Sequence, residues 1–238
     1  MWLLKHIRKI SKLFGIDIVR YASTPKARRA KLIEQYEINL ILDVGANSGQ
    51  YAKSTMHELG YKGNIVSFEP LAEAYSILKE ISEKYKKWTV HPYALGDLNC
   101  YKNINIAKNS YSSSILGMLD THINAAPESI YIGSEEIQVK TLDSIFKELC
   151  IENKNIFLKI DTQGYESKVL KGAENSLINI DTIQIEMSLV PLYEEELTFT
   201  KMCQYLEEKG YTLVSLEPGF GDSNSGQLLQ VDGIFRRF

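Results

Sequence analysis

The sequence predicts an α/β fold: one mostly parallel sheet of seven strands, helices on both faces, and a last strand running antiparallel. Three observations predict it. From Asn39 onward, short apolar runs alternate with helical stretches. The runs are apolar throughout, as strands covered on both faces must be. The last two are joined by a Gly/Ser/Asn loop, 218–226, with no helix to make the crossover that parallel pairing needs. Strands are expected at 39–44, 64–68, 88–94, 155–160, 181–186, 211–216 and 228–235, and helices at 49–59, 71–86, 141–149, 166–178 and 198–209. The segment 96–136 shows no such rhythm; a long irregular insertion in a compact domain is usually functional or mobile.

Ahead of this unit, residues 2–14 place Leu3, Ile7, Ile10 and Phe14 at helical spacing, with Lys5, Arg8, Lys9 and Lys12 on other faces. Such a basic amphipathic helix either docks weakly on a membrane surface or partner, or, more plainly, packs on the domain. Ser23, Thr24 and Pro25 break the chain before a second short helix near 26–36. Residues 1–36 are therefore taken as a helical extension and 37–238 as the main domain.

Composition excludes several classes. The 238 residues are 44% hydrophobic and 24% charged, ordinary for a globular chain that folds without staples. No apolar run reaches the roughly 18–20 residues needed to span a bilayer. Cys100, Cys150 and Cys203 are scattered, forming no metal or disulfide pattern, and fit a reducing cytoplasm. The net charge of −3 divides into +8 over residues 1–31 and −11 over the rest. An acidic body argues against a nucleic-acid substrate, whose phosphates need a basic face.

The strongest local signal is Leu40-Ile41-Leu42-Asp43-Val44-Gly45-Ala46-Asn47-Ser48-Gly49-Gln50-Tyr51. A buried strand ends in an acid and passes through a small-residue turn into a helix. Gly45 and Gly49 let backbone approach a ligand, with N–H groups free at the helix start. Their G-x-x-x-G spacing lacks the third glycine of the dinucleotide fingerprint, which weakens an NAD(P)-dependent oxidoreductase reading. A ligand tail bearing an ammonium also wants a carboxylate, and Asp43 is placed to supply it, directly or through water. The next strand ends in Phe68-Glu69-Pro70, 20 residues beyond Gly49. An acid there can take both hydroxyls of a ribose; as an N-terminal helix acid ahead of Pro70 it also has a structural reading. Tyr93-Ala94-Leu95-Gly96-Asp97 is small and apolar enough to lie along an adenine face.

These motifs, together with Ser112-Ser113-Ser114, Thr141-Leu142-Asp143, Leu158-Lys159-Ile160-Asp161-Thr162-Gln163-Gly164-Tyr165-Glu166, Ile185-Glu186 and Pro191-Leu192-Tyr193, resemble the FkbM-type methyltransferases over residues 39–238. The resemblance implies S-adenosylmethionine as donor and the Rossmann-like, seven-stranded class I methyltransferase sheet. It implies Asp43, Gly45, Ala46, Asn47, Gly49, Tyr51, Glu69, Pro70, Ala94 and Leu95 on the donor side. Members often methylate hydroxyls of sugars, glycolipids or polyketides, so a small-molecule or glycan acceptor is expected. A chain that kept donor binding but lost turnover is the remaining alternative.

Methyl transfer to an alcohol requires in-line alignment and loss of a proton whose pKa is about 16, by analogy with water. A general base therefore helps, and it belongs beyond the carboxyl ends of the strands. Asp161 ends the fourth parallel strand. It reads as general base, as donor ligand, or as a helix cap. Gln163 and Glu166, which accompany it in the family pattern, are placed on the acceptor side; dipole stabilisation alone also explains Glu166. Glu186 ends the fifth strand. Asp161 and Glu186 offer two carboxylates to Mg²⁺, but hydrogen bonding of the acceptor without metal is the expected reading. His122, in the irregular segment, is either a proton acceptor or a helix cap. Ser113 and Ser114 either bind the acceptor or donor carboxylate, or simply shape a turn. Loop 217–226 is a glycine-rich lid or a hairpin turn, and Tyr193 and Phe220 either stack a sugar ring or pack.

Overall fold

The computed structural model describes residues 2–150 and 155–238; the side chains of residues 2–4 and 150 are outside the described set, so the expectations for Leu3 and Cys150 fall there. In chain order the elements are α1 (Trp2–Lys12), α2 (Pro25–Gln35), β1 (Leu40–Val44), α3 (Gln50–His57), β2 (Asn64–Phe68), α4 (Ala72–Ser82), β3 (Trp88–His91), β4 (Ala94–Leu95), β5 (Cys100–Ala107), α5 (Asp120–Ala125), β6 (Tyr131–Lys140), α6 (Leu142–Cys150), β7 (Ile156–Ile160), α7 (Glu166–Lys171), β8 (Thr182–Ser188), α8 (Phe199–Glu208), β9 (Thr212–Pro218) and β10 (Gln230–Arg236).

Seven strands form the main sheet in the order β3-β2-β1-β7-β8-β10-β9. The first five run parallel, and β10 is antiparallel to both β8 and β9. Strand periodicity of two divides the core. Leu40, Leu42, Leu158, Ile160, Ile183 and Ile185 face α7 and α8, meeting Val169, Leu170, Met202 and Leu206. Ile41, Ile65, Phe157 and Ile234 face the other way, onto Ile33 of α2 and Ala52 of α3. Helix α2, grouped with the extension by its sequence, buries Ala27, Arg29 and Ile33. Thr24 caps it, Oγ1 accepting the Ala27 N–H at 3.2 Å.

Three expectations are corrected. The irregular segment contains a second, three-stranded sheet in the order β4-β6-β5, whose Ile104, Ile137 and Val139 cover Leu71 and Ala74. The third strand stops at His91, because Ala94 and Leu95 leave the main sheet to pair with Val139 and Lys140. The helix expected over 166–178 ends at Lys171 and continues as turns, in which Asp143 accepts the Asn175 N–H at 3.1 Å and shares the Ser176 N–H, at 2.8 Å, with the Ala173 carbonyl.

From Lys5 to Tyr21 no residue is buried; Ile10, Leu13 and Phe14 stand in solvent. No helix among the described residues is long and apolar enough to cross a membrane.

The turn after α7 is tight enough to test. A Cβ on Gly172 would lie 1.8 Å from the Gly96 carbonyl oxygen. Gly172→Ala is expected to cost about 1–3 kcal/mol, the usual range for overpacking, read as a lower urea midpoint. An unchanged midpoint would contradict this packing.

Candidate active site

Strand β1 delivers the chain into a left-handed turn. Gly45 has φ +76°, and a Cβ there would fall 1.8 Å from the backbone oxygen of Asp161, so two strand ends meet where only glycine fits. Asn47 follows, also at positive φ, and its N–H donates to Glu69 Oε2 at 2.8 Å. Gly49 ends the turn packed under Trp88 and Leu78. Beyond this turn opens a cavity of about 540 Å³, within the range of small-molecule sites.

Glu69 lines that cavity from the end of β2. Its other oxygen, Oε1, accepts the Leu71 N–H at 2.9 Å, so it orders the start of α4 as well as facing the cavity. Burial pushes its carboxyl up to about 7, with the two backbone N–H groups acting against that shift. Gly45, Ala46, Asn47, Tyr51, Pro70, Ala94 and Leu95 share the same wall.

Asp43 does not line the cavity. It points to the face that Ile41 shares with α3, is 0% exposed, and lies 3.2 Å from Lys159 Nζ across the β1–β7 pairing. Ser67 Oγ donates to its second oxygen at 3.1 Å and in turn accepts from Trp88 Nε1 at 2.9 Å. The carboxylate expected to meet a ligand ammonium is thus occupied by a lysine of the protein itself. That lysine lines the cavity, donates to Gly45 O at 3.0 Å and lies 3.4 Å from Asp161 Oδ2. Burial alone would lower its pKa; Asp43 and Asp161 more than offset this and raise it, so it stays an ammonium.

Asp161 and Glu186 are joined by one side chain. Gln163, held at φ +56°, donates Nε2 to Asp161 Oδ1 at 2.9 Å and to Glu186 Oε2 at 2.8 Å. Its Oε1 accepts from Tyr193 OH at 2.7 Å, which fixes the amide orientation, and its backbone carbonyl accepts from Ser114 Oγ at 2.6 Å. Gln230 Nε2 adds a second donor to Glu186 Oε2 at 2.9 Å. Burial, and then Asp161, pushes the Glu186 carboxyl well up.

Of the remaining residues singled out in the sequence, some line the cavity and others stand behind it. Glu166 stands behind the wall: its Oε1 gathers the N–H groups of Thr162 (2.8 Å) and Gly164 (3.2 Å), so it, rather than Asp161, braces this turn. Ser114 likewise shapes the turn, whereas Ser113 reaches the cavity wall while accepting the Ala107 N–H at 3.0 Å. His122 lines the cavity, buried within the short α5, stacked on Phe220 (ring centroids 5.1 Å) and edge-on to Tyr193 (5.2 Å). Its Nδ1 has no partner among the described residues, and burial lowers its pKa. The sequence reading assigned no role to Lys159, Arg29, Gln184, Gln230 and Asp232, all on the cavity wall. The available signal was a charged or amide side chain inside an apolar strand, as in Ile156-Phe157-Leu158-Lys159-Ile160. Among the described residues no three His, Cys, Asp or Glu side chains converge as a metal-ligand set.

A family model, the Methyltransferase FkbM domain, matches residues 43–213. The hexuronic acid methyltransferase AglP of Haloferax volcanii is 28% identical over 159 residues, 67% of this chain and 60% of AglP. The alignment thus spans less than two thirds of that relative. Among solved structures, M. capricolum TrmK in complex with S-adenosyl-homocysteine aligns with a TM-score of 0.49 and 12% identity, over 92% of this chain and 69% of that one. An rRNA methylase from Streptococcus thermophilus gives 0.49 and 9%, over 94% and 99%.

Two outcomes follow from the buried charges. Asp43→Asn leaves the Lys159 ammonium short of a counter-charge and is expected to cost about 3–5 kcal/mol of stability, as for other broken buried pairs. A urea midpoint equal to wild type would show that the pair is not what holds β1 to β7. Glu69 and Glu166 both ionise near 7 when folded, against 4.5 in the ordinary range. Between those values the folded chain binds more protons than the unfolded one. Stability therefore falls as pH rises from about 4.5 to 7 and levels off above. Glu69→Gln should remove part of that slope in urea melts at pH 5, 6, 7 and 8; a slope unchanged by the substitution would contradict the assignment.

Proposed function

The chain belongs to the Methyltransferase FkbM domain family, and on that premise we propose that it transfers the methyl group of S-adenosylmethionine to a hydroxyl oxygen of a sugar, glycolipid or other small natural product. One observation carries this reading: a single amide nitrogen of Gln163 holds Asp161 and Glu186 together on the wall of the cavity that also contains Glu69. The likeness to AglP, a hexuronic acid methyltransferase by name, supports a sugar acceptor. The acidic body of the chain speaks against nucleic acid, and the free thiols Cys100 and Cys203 suit a reducing cytoplasm.

The residues present fit the donor. Glu69 offers its carboxylate to the ribose hydroxyls, and Asn47, Tyr51, Pro70, Ala94 and Leu95 frame the nucleoside. Gly45 keeps the backbone clear where a side chain would collide with Asp161. Asp43 and Gly49 serve from behind, by holding Lys159 and by seating α3. When bound, S-adenosylmethionine supplies a methyl group already activated on a sulfonium.

The chain's own task is to position the acceptor and take its proton. Asp161 is the base. Lys159 lies 3.4 Å from one of its oxygens and the Gln163 amide donates to the other, holding it on the cavity wall. Glu186, whose carboxyl is pushed well up by burial and then by Asp161, faces the same cavity and is placed to hydrogen-bond the acceptor. His122, neutral because it is buried, is the second group able to receive the proton. Phe220 stacks on it and excludes water from that side. Magnesium is not required in this scheme, since the Gln163 and Gln230 amides donate where a cation would sit.

The test is a labelled-methyl assay against cell extracts and against purified uronic acids, with mass spectrometry of the product. Asp161→Asn is expected to lower kcat about 10²-fold or more, the usual range for loss of a general base, while the donor Kd measured by calorimetry stays within twofold. Normal turnover in that variant would remove Asp161 from the chemistry. Activity is expected to survive exhaustive EDTA treatment; its loss, with recovery on adding Mg²⁺, would restore the metal reading.

A further inference from the structure

The cavity wall holds one guanidinium that the scheme above does not use. Arg29 comes from α2, outside the residues matched by the family model, and is 8% exposed. Its Nη1 donates to Gln184 Oε1 at 3.1 Å, an oxygen that also accepts from Tyr51 OH at 3.0 Å. Its Nε is buried and donates to nothing among the described residues. The nearest acid, Glu217, approaches Nη1 only to 3.9 Å. Across this lobe Gln184 Nε2 donates to Asp232, and Tyr51 lies beneath both cations, its ring centre 5.3 Å from Arg29 Cζ and 5.3 Å from Lys159 Nζ.

Burying an arginine is costly unless its charge and its donors are met. Lys159 is met, by Asp43, Asp161 and two backbone carbonyls. Arg29 has a long contact with Glu217 and one amide oxygen. Burial pushes the carboxyls of both Glu217 and Asp232 up, which weakens them as counter-charges. The planar fork suits a carboxylate, which would take two parallel N–H bonds and supply the missing negative charge.

We propose that Arg29 is a carboxylate-binding subsite of this cavity, contributed by the helix that precedes the family domain. The proposal rests on the methyl-transfer reading for its two sources of that group. One is the α-carboxylate of the donor's amino-acid tail; the other is a carboxylate on the acceptor, as a uronic acid would carry. Arg29 supplies charge and orientation and takes no proton.

Calorimetry on the full chain tests it with paired probes: S-adenosylmethionine against its decarboxylated form, and glucuronic acid against glucose. Arg29→Gln and Arg29→Lys are compared with wild type after circular dichroism and melting show them folded. The expected result is at least a tenfold loss of affinity for one carboxylate-bearing probe in Arg29→Gln, with its carboxylate-free partner within twofold. Arg29→Lys should recover only part of the loss. Loss confined to S-adenosylmethionine assigns the donor tail; loss confined to glucuronic acid assigns the acceptor. Equal losses within each pair, no loss in either, or a wild type that binds none of the four probes would overturn the proposal. Failure of both donor probes alone, with the glucuronic acid arm intact, would sink the methyl-transfer reading and leave the subsite standing.

Discussion

The buried ammonium of Lys159 is the constraint around which the head of the sheet is organised. It sits on β7 between the carboxylates of Asp43 and Asp161 and donates to the carbonyl of Gly45. One side chain therefore ties the ends of β1 and β7, the turn that begins α3 and the acid at the cavity wall. A charge at that depth is tolerated because its donors are directed at fixed oxygens. The same contacts hold Asp161 at the cavity wall, while burial and Asp161 push the carboxyl of its neighbour Glu186 up.

Rigidity around this pair comes from hydrogen bonds outside it. Gln163 bridges the two acids, Tyr193 sets its amide, Ser114 anchors its carbonyl and Glu166 gathers the turn's N–H groups. Each of those side chains carries chemistry-bearing atoms, yet each is spent on holding Asp161 and Glu186 in place. Methyl transfer, as an in-line displacement, gains much of its rate from such positioning.

Legibility from sequence followed burial. The runs Leu40–Val44 and Ile156–Ile160 are apolar because both faces are covered, and their boundaries were readable to within a residue or so. Strands β5 and β6 were missed because Asn103, Asn105, Gly133, Glu135 and Glu136 dilute the pattern in a sheet with one wet face. In the site, period two already puts Asp43 on the Ile41 face, under α3. Its partner became visible only through the register that sets Asp43 beside Lys159. That Glu69, Asp161, Gln163 and Glu186 meet on one cavity wall was legible because strand ends converge in this fold. Arg29 was not, since nothing in Pro25–Gln35 says which helix face meets the sheet.

The account stands on the cavity recognising a sulfonium nucleoside through Glu69. The most direct measurement is titration calorimetry of S-adenosylmethionine and of NAD into wild type and Glu69→Gln at pH 8, where the carboxyl is ionised. The account predicts binding of S-adenosylmethionine alone, weakened at least tenfold by the substitution, on the order of 1.4 kcal/mol. Binding of NAD without S-adenosylmethionine, or equal affinity in the two proteins, would contradict it.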